Sequence, residues 1–126
     1  IVDAVNRIRP PFNVSAAAIA AGIAAIEDRD HAAAAADHNE IWLTKVTEAL
    51  SALGLTVTPS VANFVLVHFP DVVGRRAAEA DEFLSERGVI VRRVTSYGFP
   101  DALRITIGSA EANEAMIAAL AAFLGK

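Results

Sequence analysis

The chain has 126 residues, the size of one ordinary domain, and 54% of them are apolar, so it can bury a real core. Its formal net charge is −4, its Lys and Arg residues form no run, and charged residues interrupt every apolar stretch short of the ~20 residues a membrane-spanning helix needs. This argues against a nucleic-acid surface, a polybasic anchor and a transmembrane protein, while the absence of cysteine removes disulfides and thiolate nucleophiles and fits a reducing, cytoplasmic setting.

The opening "IVDAVNRIRPPFNV" has no initiator Met and none of the marks of a signal peptide, which predicts a fragment whose missing part precedes residue 1. Pro10 and Pro11 block helix, and Asn13 or Ser15 supplies a cap, so a helix should begin near Val14. Helical signal then continues to Gly54, with one apolar stripe at Ile19, Ile23 and Ile26 and a second at Trp42, Val46, Ala49 and Leu53. Unbroken, such a helix would reach ~60 Å, twice the span of a small domain, so a bend or a bridge between two bodies is expected at the charged "EDRDH". The run Ala32–Ala36 reads as helix former.

A Pro-Ser turn follows "TVT", and Phe64 to Phe69 then reads as a continuous apolar strand. Val73, Ala77, Ala80 and Leu84 share one face of a helix that Gly88 stops. "VIVRRV" and "LRITI" are strands. Ser109 caps a final helix with Glu111 in its first turn and with Ala112, Met116, Leu120 and Phe123 or Leu124 inward. The order from residue 29 predicts an α+β fold: a small three-stranded, mainly antiparallel sheet packed on helices on one face, preceded by a long N-terminal helix. The expected organisation is 1–28 as the end of one segment and the start of the long helix, and 29–126 as the small domain.

Alternation in "LRITI" sends Leu103, Ile105 and Ile107 to the helices and Arg104 to the open face. From pattern alone an internal salt bridge or a solvated face is the commoner account of such an arginine. The competing account is a carboxylate or phosphate held by its fixed fork. A hairpin would bring Arg92, read as the end of the preceding strand, beside Arg104, and two adjacent cations make sense with an anion between them. Arg93 points to the other side and reads as solvated. Tyr97 is a candidate donor to the same anion, although a loop tyrosine covering the core is commoner, and Asn63 is a turn residue or, less often, a ligand contact. His31 and His38 are seven apart, too far for a helical metal pair, and His68 reads as a satisfied core or edge residue, so no metal site is predicted. Ser15, Ser96 and Ser109 have no His/Asp companions and are caps or turn residues.

Taken together, "RIRPPFNVSAAAIAA", "SVANFVLVHF", "GVIVRRV", "YGFP" and "ALRITIGSAEANEAMIAAL" resemble the C-terminal part of the histidinol-phosphate aminotransferases, fold type I enzymes that use pyridoxal phosphate. The resemblance covers essentially the whole chain apart from Asp28 to Asn39. It implies a parent enzyme that transaminates L-histidinol phosphate and 2-oxoglutarate in histidine biosynthesis, works as a cytoplasmic homodimer and closes a small domain over a large one. It implies that Arg104 holds the α-carboxylate of glutamate or 2-oxoglutarate and shares the phosphate of histidinol phosphate, and that Arg92 contacts that phosphate; Tyr97 and Asn63 stay candidates for the pocket from the residue pattern alone.

The family's Schiff-base lysine lies in the large domain. Lys45 sits mid-helix without the small-residue loop such a lysine needs, and Lys126 is the last residue, so no catalytic or cofactor-binding residue is assigned here and the isolated chain should be inactive. The stripe Val14 to Ile26 would be exposed without that domain, which predicts self-association through this helix. Two other readings stay open: an aromatic or other aminotransferase of the same group, and a free-standing α+β ligand-binding module in which Arg92 and Arg104 form an effector site.

Overall fold

A computed structural model of the chain describes residues 1–9 and 13–126. The Pro10-Pro11 stop, and with it the middle of the Arg-Pro-Pro-Phe-Asn segment, lies outside the described residues. Two compact units divide the chain, residues 1–35 and 36–126.

The first unit holds α1 (Val2–Ile8), α2 (Ala16–Glu27) and the opening of α3 (Arg29–Ala52). Ser15 is the cap of α2, its hydroxyl accepting from the Ala18 N–H at 3.2 Å, so the helix begins at Ala16, two residues later than the sequence suggested. The expected interruption falls at Asp28. Its backbone N–H still donates to the Ala24 carbonyl at 3.1 Å, while its carboxylate accepts from the His31 N–H at 3.0 Å, so one residue closes α2 and caps α3. Neither α1 nor α2 buries a residue, and Ile19, Ile23 and Ile26 are exposed.

The second unit is a sheet covered by helices. Its strands are β1 (Thr56–Thr58), β2 (Phe64–His68), β3 (Arg92–Val94) and β4 (Phe99–Thr106), and they lie in the order β1-β2-β4-β3 with every neighbour antiparallel. The sheet thus has four strands where three were expected. The addition is Thr56–Thr58, a three-residue edge strand next to Pro59, too short for its alternation to stand out. β2 and β4 align Val65 with Ile105 and Val67 with Leu103. These four, fully or almost fully buried, meet Val46 and Leu50 of α3, Ala77, Ala80 and Leu84 of α4 (Ala77–Ser85), and Met116, Leu120 and Leu124 of α5 (Ala110–Leu124) in one core.

Three local expectations are corrected. α4 starts at Ala77, leaving Val73 outside the helix and exposed. On α5 the buried position is Asn113 rather than Ala112, because the Asn113 side chain turns back on Gly108: Oδ1 accepts from its N–H at 2.9 Å and Nδ2 donates to its carbonyl at 3.0 Å. β3 is only half the run "VIVRRV", since Val89 and Val91 pack on the core without entering the ladder. Arg92 therefore opens this strand instead of ending it. Ser109 caps α5 and Gly88, at φ +75°, stops the turn after α4, both as the sequence indicated.

Candidate functional site

The pleat of β2 and β4 places Leu103 and Ile105 under the helices and Phe64, Leu66 and Arg104 on the opposite face. On that face β3 runs beside β4 with Arg92 directly opposite Arg104 and Arg93 opposite Leu103. Directly opposed residues of an antiparallel pair share one face, so the two guanidinium groups belong to the same side of the sheet. Arg93, on the other side, is exposed.

A shallow hollow of about 240 Å³ opens on this face, lined by Phe64, Leu66, Val94, Tyr97, Phe99 and Arg104. Arg104 is half-buried there, with its guanidinium carbon 5.2 Å from the centre of the Phe64 ring. Its Nε is buried and has no hydrogen-bond partner among the described residues. Arg92 is exposed and does not line the hollow itself. Its Nη2 donates to the Tyr97 hydroxyl at 3.1 Å, and Tyr97 does line it. Tyr97 closes a single 3-10 turn, Thr95–Tyr97, which Gly98 ends at φ +89°, a backbone conformation that favours glycine.

Neither arginine has an acidic partner among the described residues. Among the described residues the ion pairs are His68 with Asp101, Arg76 with Asp71 and Arg87 with Glu86. Two neighbouring cations, one with an orphaned buried N–H, can form charge-assisted, bidentate bonds to a carboxylate or phosphate, roughly twice as strong as neutral ones.

The other candidates are elsewhere or otherwise engaged. Asn63 is exposed, does not line the hollow, and uses its carbonyl to accept from the Ile107 N–H at 2.8 Å. His38 Nε2 donates to the Gly108 carbonyl at 2.9 Å. His68 is doubly bonded: Nδ1 donates to the Asp101 carboxylate at 3.2 Å, and Nε2 shares a hydrogen bond with the Thr58 hydroxyl at 3.0 Å. That contact with His68, together with the Asp101 backbone N–H, holds the Asp101 carboxyl below its ordinary range. The sequence reading did not single out Phe64, Leu66, Val94 and Phe99. Phe64–Phe69 read as one continuous apolar strand, whereas only alternate residues of β2 are fully buried, and Phe64 and Leu66 wall the hollow.

Neither lysine lines the hollow. Lys45 Nζ lies over the Trp42 ring, 4.8 Å from its centre, and Lys126 Nζ donates to the Leu53 carbonyl at 2.8 Å. The hollow combines an apolar wall with a guanidinium carrying an N–H that is unbonded among the described residues.

Comparison with known proteins agrees with this architecture. Histidinol-phosphate aminotransferases from two strains of Rhodopseudomonas palustris are 55% and 54% identical to the chain over all 126 residues. The chain spans 34% of each relative's length, about a third. A crystal structure from Burkholderia pseudomallei, described as that of a candidate aminotransferase, matches 98% of the chain with a TM-score of 0.86 at 32% identity, using 37% of its own length. Residues 1–122 match the family Aminotransferase class I and II, and the chain belongs to that family.

Proposed function

We propose that this chain is the C-terminal, substrate-anion-binding part of an enzyme that moves an amino group between L-histidinol phosphate and 2-oxoglutarate. The observation that carries the reading is the pair Arg92 and Arg104, opposed on β3 and β4 with no carboxylate partner among the described residues, and with Arg104 Nε buried and unbonded among them. The relatives named for that substrate supply its chemical class. Class I and II aminotransferases are generally pyridoxal-phosphate enzymes, and the cofactor supplies the chemistry that carries the amino group.

On this reading Arg104 forks onto the α-carboxylate of glutamate or 2-oxoglutarate and shares the phosphate of histidinol phosphate. Arg92 contacts that phosphate. Asn63, turned into a loop bond through its carbonyl, is left at the margin of the pocket. The lysine that carries the cofactor comes from the two thirds of the relatives' length that this chain does not span, in a large domain over which the small one closes to exclude water. The enzyme works in the cytoplasm as a homodimer, and the 126-residue chain by itself has no transaminase activity.

The test is a donor screen on the full-length enzyme that carries this segment. Histidinol phosphate should be the preferred amino donor, with Arg92→Ala raising its KM by roughly tenfold or more and leaving the glutamate KM nearly unchanged, as expected when one charge-assisted contact is lost. Arg104→Ala should impair both half-reactions. A preference for phenylalanine or tyrosine would overturn the substrate, and turnover by the isolated chain with added pyridoxal phosphate would overturn its inactivity.

A further inference from the structure

We propose that Tyr97 is the positioning residue of the anion site: its hydroxyl ties Arg92 to the hollow and presents its own proton to the bound anion. This rests on the anion-site reading above.

Arg92 is exposed and outside the lining of the hollow, so packing alone does not hold its cation at the site. Its one side-chain hydrogen bond among the described residues runs from Nη2 to Tyr97 Oη at 3.1 Å, and the guanidinium carbon lies 5.8 Å from the ring centre, within cation-π range. Tyr97 in turn walls the hollow together with Arg104. The tyrosine backbone is set by its turn, in which the Gly98 N–H donates to the Thr95 carbonyl at 3.0 Å. The ring therefore gives Arg92 a fixed address beside the hollow.

The choice of a phenol matters. An aspartate or glutamate at this place would orient Arg92 equally well but would cancel the charge that draws an anion. A neutral hydroxyl orients without neutralising. Having accepted from a guanidinium, the hydroxyl is polarised and donates its own proton more strongly, and that proton has no acceptor among the described residues. A phosphate oxygen arriving between the arginines would take it.

The experiment is an NMR titration, with inorganic phosphate, of the full-length enzyme that carries this segment, isotope-labelled, following the Arg92 and Arg104 Nε–Hε signals and the Tyr97 ring carbon next to oxygen. In the wild type all three should shift along one saturating curve. Tyr97→Phe keeps the ring wall and removes the hydroxyl. It should weaken phosphate binding by roughly tenfold and abolish the Arg92 shift while Arg104 still responds, without altering backbone signals remote from the turn. Unchanged affinity and an unchanged Arg92 shift in Tyr97→Phe would overturn the proposal. So would a silent Tyr97 carbon in a wild type whose Arg104 responds, a measurement that needs no variant. A wild type in which Arg104 itself does not respond to phosphate overturns the underlying anion-site reading instead.

Discussion

Arg92 and Arg104 are direct cross-strand partners, two like charges facing the same side of a sheet with no carboxylate at ion-pair distance from either among the described residues. Opposed like charges cost a few tenths of a kcal/mol to about 1 kcal/mol, toward the lower end where solvent screens them, as it does at exposed Arg92. Arg92→Gln should therefore stabilise the free chain by about 0.5 kcal/mol at low salt and by less at high salt. Thermal melts across a salt series check this. Phosphate should raise the melting temperature of the wild type more than that of the variant, because a ligand stabilises only the state that binds it.

Acid should loosen the end of the β2–β4 pair through Asp101. Its folded pKa lies below the ordinary 3.8, chiefly because His68 donates to its carboxylate. A depressed carboxylate pKa adds stability that is fully present above the unfolded value and disappears as pH falls through the lower folded value. Urea unfolding from neutrality down to about pH 3 should show the wild type losing stability most steeply at the acid end, and Asp101→Asn losing distinctly less there. Identical slopes for the two proteins would remove Asp101 from the account.

Asn113 is 2% exposed, and its side chain closes both hydrogen-bonding groups of Gly108. Removing it leaves the Gly108 N–H without that acceptor, whereas the carbonyl keeps His38. Asn113→Ala should cost about 2 kcal/mol, within the range for an unsatisfied buried polar group plus the space left behind. The midpoint of a denaturant curve reads this directly, and a loss under about 0.5 kcal/mol would mean that water replaces the side chain there.

The isoleucines of α2 are 52%, 54% and 81% exposed at 19, 23 and 26, an apolar stripe of the kind that marks an interaction surface. The isolated chain should self-associate through it. Ile19→Glu with Ile23→Glu should shift light scattering toward monomer while leaving the circular dichroism of the sheet unit intact. A wild type that stays monomeric at high concentration contradicts this expectation.

What was legible in the sequence followed locality. Ser15, Gly88 and Ser109 announced helix ends because caps and stops act within a turn or two. The charged stretch announced an interruption, and Asp28 is where a side chain can replace the lost backbone acceptor. The meeting of Arg92 and Arg104 was legible because two strands joined by a short loop have few ways to pair. Asn113 was not, since a buried amide depends on what Gly108 does five residues away, and on periodicity alone Ala112 looked the better core residue. The length of β3 was missed for a similar reason: Val89 and Val91 have strand-like side chains but are buried by packing rather than by a ladder. The walls of the hollow come from both β2 and β4, and an unbroken apolar run does not tell which of its residues face which way.

β4 carries two occupations on alternate residues: Leu103 and Ile105 anchor the core, and Arg104 faces the hollow. Across the ladder β2 repeats the division, with Val65 and Val67 inward and Phe64 and Leu66 outward. Residues that wall the hollow and residues that fill the core are thus interleaved in sequence yet separated by the thickness of the sheet. On the proposed function such a scaffold is evolvable: the outward positions can be exchanged to retune specificity while the inward ones keep the domain folded.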